Sequence, residues 1–278
     1  MGYGTLAHTV GRLPLRELTG KLAGRGIDFV QLALSKAIAD IDTSPGKLSP
    51  ALANHIAEQF ERVGVRIGVL GCYIDPIHPD PEARRREIGR FKEHLRFARD
   101  FGAPIVATET ASLQTYASRR PDDYEAFGWS VLKETVEELA EEAERWGVTI
   151  GLEPVSYHTL SSAAKMERLL GEVPSSTLGV VFDPVNLLTV SLMDDQEAFL
   201  DEAFERFGSR IVLAHLKDAA TAGSELRHLP PGQGQFATEP FLARLHAAKP
   251  LLDLSLEEVD GDSLDSALAW VRGLQQPR

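Results

Sequence analysis

The chain has 278 residues, 43% of them hydrophobic, which allows a single large domain with a sizeable core. Its 41 acidic and 29 basic residues give a formal net charge of -12, which argues against general nucleic-acid binding. We expect a cytoplasmic protein without a membrane span, since Cys72 is the only cysteine and neither a signal-peptide pattern nor a run of about 20 apolar residues is present.

Short β-rich runs alternate with longer amphipathic segments along the chain. The β-rich runs predict eight strands, over residues 5–8, 28–34, 66–73, 104–108, 149–153, 179–183, 211–216 and 252–257. Apolar residues at helical spacing predict helices over residues 51–63, 82–101, 125–146, 160–170, 195–207, 239–248 and 263–274. This alternation indicates a parallel sheet, and eight units at this length favour a closed (β/α)8 TIM barrel. No Pro-, Gly- or Ser-rich linker divides the chain, so residues 1–278 are expected to form one domain.

Four of the predicted strands in the second half of the chain end in a side chain of the metal-binding type. They are Glu153 in GLEP, Asp183 in FDPVN, His215 in HLKD and Glu257 in LSLEE. These strands are consecutive, and the carboxyl ends of adjacent barrel strands lie side by side. Three carboxylates and one imidazole suit Mn, Co or Mg better than a structural zinc site, although zinc also accepts such ligands. The pattern predicts one divalent metal ion.

Strand alternation selects between the two adjacent glutamates of the last segment. Glu258 shares parity with Leu254 and Leu256, which should face outward against helices. Glu257 shares parity with Ser255 and is therefore the residue expected to face the barrel axis.

Each ligand-type residue is also compatible with a purely structural role when it is taken alone. Glu153 and Asp183 suit buried ion pairs or helix caps, and His215 suits a core histidine bonded to backbone. Four such residues at consecutive strand ends favour a shared metal over four separate structural roles.

The four segments, in this order and spacing, resemble the xylose isomerase-like TIM barrels that act as sugar phosphate isomerases and epimerases. The resemblance extends to IHPDPEARR after the third strand and LPPGQGQF before the last. It implies that Glu153, Asp183, His215 and Glu257 bind the metal, with Glu153 and Glu257 acting as acid and base. It also implies a small sugar substrate and a homodimer or homotetramer.

The expected activity is metal-dependent isomerisation or epimerisation of a keto sugar or sugar phosphate through an enediolate. The same centre would also serve an inosose dehydratase-like lyase acting on a keto cyclitol or keto sugar. A non-catalytic barrel that binds metal or sugar is a further alternative, because fold does not determine function. An endonuclease IV-like DNA repair enzyme is disfavoured, since it needs three metals and the chain is acidic.

The residues expected to contact substrate differ from those of the ketose 3-epimerases in this family. Thr159, Asn186 and Thr221 stand where those enzymes carry glutamate, histidine and arginine. Instead, the residues predicted to bind substrate are His158, Asn186, Lys217, Arg227, Glu109 and His78. An alternative role for Asn186 is to orient Asp183.

Overall fold

Eight parallel strands close into a barrel in the computed structural model, which describes residues 1–274. The strands of the described chain are β1 (Tyr3–Leu6), β2 (Phe29–Leu32), β3 (Arg66–Gly71), β4 (Ile105–Glu109), β5 (Thr149–Glu153), β6 (Leu178–Phe182), β7 (Ile211–Leu216), β8 (Asp218–Ala222), β9 (Glu225–Leu229) and β10 (Leu254–Leu256). β1 to β7 follow one another around the barrel, and β10 closes it between β7 and β1. The predicted TIM barrel is confirmed.

Helices surround the barrel and connect its strands. They are α1 (Leu15–Leu22), α2 (Leu34–Ala37), α3 (Pro50–Glu61), α4 (Pro81–Phe97), α5 (Gln114–Ala117), α6 (Tyr124–Trp146), α7 (Ala163–Glu172), α8 (Pro184–Leu187), α9 (Gln196–Phe207), α10 (Thr238–Ala248) and α11 (Leu264–Leu274). Ser49 caps α3 by accepting a hydrogen bond from Leu52 N, and Gly147 ends α6 in the left-handed conformation. Within residues 1–274, none of these helices combines the length and apolarity that crossing a membrane requires.

Several features differ from the sequence prediction, among them the one-turn helices α2, α5 and α8. The first strand covers Tyr3–Leu6, two residues earlier than predicted, because its register with β10 begins at Tyr3 and the chain turns into a 3-10 helix at Ala7–Val10. Helix α1 was not predicted. The antiparallel hairpin of β8 and β9 was not predicted either, because β8 begins at Asp218, only two residues after β7 ends at Leu216.

One aromatic ring fills the lower part of the barrel interior. Phe29 on β2 is fully buried and clusters with short or branched side chains of other strands. Glycines on both neighbouring strands make room for it, since a Cβ at Gly4 or Gly68 would lie 2.6 or 2.7 Å from the Phe29 ring. The interior is therefore packed below the carboxyl ends of the strands, where the functional groups of such barrels lie.

The polar layer of the barrel lies one step above this apolar layer. Side chains two residues apart on a strand face the same side, so each interior apolar residue predicts the direction of the second residue after it. The pairs are Phe29 and Gln31, Ala107 and Glu109, Val181 and Asp183, and Leu213 and His215. Strand alternation thus aims the apolar residue at the core and the polar residue at the barrel mouth.

Replacing Phe29 with alanine should lower the free energy of unfolding by about 3–5 kcal/mol, because it empties a closely packed interior. Urea denaturation of the variant and the wild type measures the change. Leu251→Ala is the control, since Leu251 is 87% exposed and its loss should change stability by less than about 0.5 kcal/mol. Equal stability of the two variants would contradict this description of the interior.

Candidate metal centre

The four predicted ligand residues converge at the carboxyl end of the barrel. Glu153 is the last residue of β5, Asp183 follows β6, His215 lies in β7 and Glu257 follows β10. Each offers one ligand atom, and these atoms all lie within 4.8 Å of one another. Glu258, in contrast, is exposed, as strand alternation predicts.

The imidazole of His215 is oriented by hydrogen bonds on the side away from the carboxylates. Its Nε2 lies 3.1 Å from Gln31 Oε1, and Gln31 Nε2 donates to the Tyr73 hydroxyl at 2.8 Å. Because the Gln31 oxygen faces the ring, Nε2 carries the hydrogen and donates it. A metal-binding histidine usually donates its other ring N–H in this way, so the arrangement suits metal binding through Nδ1.

The Nδ1 atom of His215 faces two of the carboxylates. It lies 3.0 Å from Glu257 Oε1 and 3.3 Å from Glu153 Oε1, yet it forms no geometrically sound hydrogen bond with any described residue. Burial lowers the pKa of His215, but the charges of Glu257 and Glu153 outweigh burial and raise it well above its usual value. Metal binding at Nδ1 would therefore release a proton.

Asp183 uses its two carboxylate oxygens for different purposes. Oδ1 accepts hydrogen bonds from Val185 N at 2.9 Å and Asn186 N at 3.3 Å, and so caps α8. Oδ2 is left for the centre, where it lies 2.8 Å from Lys217 Nζ. The capping role and the ligand role are therefore compatible, since the cap fixes the direction of the second oxygen.

Lys217 places a positive charge among the carboxylates of the centre. Its side chain is only 4% exposed, and its Nζ lies 2.8 Å from Asp183 Oδ2, 3.2 Å from Glu257 Oε2 and 2.7 Å from Asn186 Oδ1. Burial lowers the pKa of Lys217, but Asp183 and Glu257 raise it by more, which keeps the ammonium charged. The amide of Asn186 also donates to Glu153 Oε1 at 2.7 Å, and so links Lys217 to Glu153.

The charges of this group leave an excess that a divalent cation would balance. With all three carboxyl groups ionised and His215 neutral, as metal binding requires, three carboxylates against one ammonium leave two negative charges. Buried charges without compensation are costly. The buried His215 Nδ1, which faces two carboxylates without a hydrogen bond to any described residue, and the oxygen-rich donor set fit the same conclusion, so this group can hold one metal ion.

Glu109 and His158 form a second polar pair beside the centre. Glu109 Oε2 lies 3.6 Å from His158 Nδ1, and Glu109 aligns with Glu153 in the register of β4 and β5. Burial, together with the charges of Glu153 and Glu257, raises the pKa of Glu109 from 4.5 to about 7. Burial lowers the pKa of His158. This pair places a carboxyl group and a neutral imidazole next to the predicted ligands.

The structure does not bring His78 or Arg227 to the centre. The Nδ1 of His78 accepts a hydrogen bond from Asp80 N at 3.1 Å, next to the start of α4. Arg227 is exposed on β9, and alternation puts it on the opposite face of the hairpin from His228. Burial and the charge of Lys217 lower the pKa of His228. Within the described chain, neither His78 nor Arg227 forms a hydrogen bond or an ion pair with the four ligand residues, and their role in substrate binding stays a prediction.

Two further residues belong to the site although their sequence signal is weak. Gln31 orients His215, and Tyr73 in turn holds Gln31. Gln31 stands near the end of the second predicted strand, where the sequence allows a pocket-lining residue, and its position two residues after the buried Phe29 gives its direction. Tyr73 lies beyond the end of β3, where no strand alternation gives its direction.

A parallel eight-stranded barrel with metal-ligand side chains at its carboxyl end defines the structural class. The chain belongs to the xylose isomerase-like TIM barrel family, whose model matches residues 20–275. No curated protein matches the chain at a significant level.

Several solved structures share the fold over nearly the whole chain. A xylose isomerase domain protein from Planctomyces limnophilus is 20% identical, with a TM-score of 0.72 over 99% of this chain and 96% of that one. A D-tagatose 3-epimerase-like protein is 17% identical, with a TM-score of 0.77 over 99% and 97%. The IOLI protein, crystallised with a binding zinc atom, is 16% identical, with a TM-score of 0.69 over 99% and 96%.

Replacing Gln31 with leucine should weaken metal binding about 10- to 100-fold, because it removes the acceptor that orients His215. Calorimetric titration with Mn²⁺ measures the affinity, and circular dichroism verifies that the variant is folded. Gln31→Glu keeps an acceptor oxygen and should reduce the Mn²⁺ affinity by less than Gln31→Leu does. Wild-type affinity in Gln31→Leu would show that this hydrogen bond does not support the site.

Glu109 should make the metal-free protein less stable as pH rises from 4.5 to about 7, because its pKa is higher in the folded chain than in the unfolded one. Within this window the folded state holds a proton that the unfolded state has lost, so the stabilisation is complete below pH 4.5 and is lost as pH rises to about 7. Glu109→Gln should remove this contribution, whereas Glu61→Gln on an exposed helix surface should not. Urea denaturation on either side of the window tests the difference, and parallel pH profiles for all three proteins would refute it.

Proposed function

We propose that the chain is a divalent-metal-dependent isomerase or epimerase that transfers a proton beside the carbonyl of a keto sugar or sugar phosphate. The observation that carries this proposal is the convergence of Glu153, Asp183, His215 and Glu257 at the barrel mouth. Mn, Co or Mg suits this donor set best, and zinc is the alternative. Membership of a family that contains sugar isomerases supports the substrate class.

The two glutamates of the centre are suited to opposite halves of a proton transfer. Glu153 and Glu257 come from strands separated by β6 and β7, and both place one oxygen beside His215. Glu257 contacts the Lys217 ammonium, whereas Glu153 accepts from the Asn186 amide. Two carboxylates with different partners can divide the roles of base and acid, one removing the proton and the other returning it.

The metal and the lysine would each stabilise negative charge that develops on substrate oxygen. A divalent ion bound here would supply Lewis-acid polarisation of the carbonyl. Lys217, held by Asp183 and Asn186, adds a fixed positive charge on the side of β7. The buried position of both groups strengthens these interactions, since little water competes with them.

A lyase acting on a keto cyclitol or keto sugar is the second candidate, and Glu109 is the observation that favours it. Glu109 is a carboxyl outside the four-residue group, and it lies beside His158 at the rim. Dehydration needs a proton donor for the departing hydroxyl in addition to the base that removes the carbon-bound proton. Release of water with formation of an unsaturated ketone would distinguish the lyase from an isomerase.

Glu257→Gln should abolish metal-dependent exchange of the carbon-bound proton while the barrel stays folded, because the amide cannot act as a base. Proton NMR in deuterated water, with Mn²⁺- or Co²⁺-loaded enzyme and a panel of keto sugars, measures the exchange. Glu258→Gln is the matched control, since it makes the same change one residue away on an exposed side chain. Loss of exchange in both variants, or in neither, would reject the assigned role.

A further inference from the structure

An exposed aromatic ring stands on the same face of the barrel as the metal centre. Tyr157 follows β5 by four residues, and it is 70% exposed although its neighbours Val155 and Thr159 are buried. The other large apolar side chain exposed to this degree in the described chain is Leu251, which precedes β10 at the opposite end of the barrel. Single exposed apolar residues are common, so the surroundings of Tyr157 decide its significance.

The loop that carries Tyr157 is held on both sides. Ser156 N donates to Asn186 O at 2.8 Å, on the side of β6. On the side of β4, Thr159 donates to Ala111 O from its backbone N at 2.9 Å and from Oγ1 at 2.6 Å. These hydrogen bonds fix the backbone around an exposed ring, and such preorganisation reduces the entropy cost of binding a ligand.

A continuous strip leads from the Tyr157 ring towards the metal centre. The rings of Tyr157 and His158 meet edge to face, with centroids 4.7 Å apart and an interplanar angle of 78°. His158 Nδ1 is buried, makes no hydrogen bond with any described residue and lies 3.6 Å from Glu109 Oε2. An aromatic face followed by an imidazole and a carboxyl group matches a sugar ring, which combines apolar C–H faces with hydroxyl edges.

The position of this strip suits a second ring of the substrate. Tyr157 lies four positions after Glu153, so their Cα atoms are at most about 14 Å apart. Glu109 aligns with Glu153 in the register of β4 and β5, and it also lies 3.6 Å from His158, whose ring contacts Tyr157. Because Tyr157 is exposed while the four ligand residues are buried or nearly so, a ligand that contacts both must extend beyond the metal centre along His158 and Glu109.

We propose that Tyr157, His158 and Glu109 form a second sugar subsite, and that the substrate is a two-ring keto sugar or glycoside instead of a free monosaccharide. The Tyr157 ring stacks on the second ring, and His158 and Glu109 hydrogen-bond its hydroxyl groups. This inference rests on the proposed function, because it assumes that the first ring occupies the metal centre.

The test compares a one-ring ketose with two-ring ketoses on the Mg²⁺-loaded full chain. The dissociation constants of D-fructose, lactulose, isomaltulose and turanose are measured by ligand-observed NMR. In the wild type, at least one two-ring sugar should bind about fivefold to tenfold more tightly than fructose. Failure of every two-ring sugar to bind better than fructose overturns the inference.

Substitutions then test whether the Tyr157 side chain causes the preference for two-ring sugars. The quantity compared is the dissociation constant of fructose divided by that of the tightest-binding two-ring sugar. Tyr157→Ala should bring this ratio close to one. Tyr157→Phe and Tyr157→Trp should keep the ratio, because stacking needs the ring face and not the hydroxyl. Leu251→Ala removes the other exposed apolar side chain and should leave the ratio unchanged. An unchanged ratio in Tyr157→Ala assigns the preference elsewhere and contradicts the subsite.

Two measurements distinguish failure of the subsite from failure of the proposed function and from a role of Tyr157 in assembly. If the wild type shows no metal-dependent proton exchange with any sugar, the proposed function fails; if exchange occurs without a two-ring preference, only the subsite fails. Sedimentation velocity of the wild type and Tyr157→Ala tests whether the ring serves a protein interface. A smaller assembly in the variant, with the sugar ratio intact, would assign Tyr157 to that interface and overturn the subsite.

Discussion

Repulsion among Glu153, Asp183 and Glu257 is the constraint on which the carboxyl end of the barrel depends. Carboxylates gathered within one buried volume must be neutralised or separated, because the low-dielectric surroundings strengthen their repulsion. Lys217 supplies one positive charge, and His215 can carry another only while no metal occupies its Nδ1. The arrangement is therefore a balance of charge that a divalent ion would complete.

The polar groups around this centre hold its geometry through bonds that point away from it. One oxygen of Asp183 caps α8, and Gln31 holds the far side of the His215 ring. Phe29, below Gln31 on β2, fills the barrel so that the polar layer rests on packed side chains. Ligand direction thus follows from helix capping, strand alternation and core packing together, and each of these supports is independent of a bound ion.

The barrel and the four ligand-type residues could be predicted because their signals are local. Strand and helix periodicities extend over short segments, and alternation is sufficient to select Glu257 over Glu258. The hairpin of β8 and β9, which carries Arg227, was not predicted, because it forms by pairing between strands and has no periodic signal of its own. The start of the first strand was misplaced for a similar reason, since its pairing with β10 determines where it begins.

The sequence by itself determined the order of strands and helices and the type of side chain at each strand end. Only the tertiary structure decided which polar groups meet, because those contacts join residues far apart in the chain: His215 and Gln31 are separated by 184 positions. It also showed that Lys217 contacts Asp183 and Glu257, and that Tyr157 is exposed beside buried neighbours. Charge balance and exposure depend on the whole surroundings of a side chain, and no local pattern encodes them.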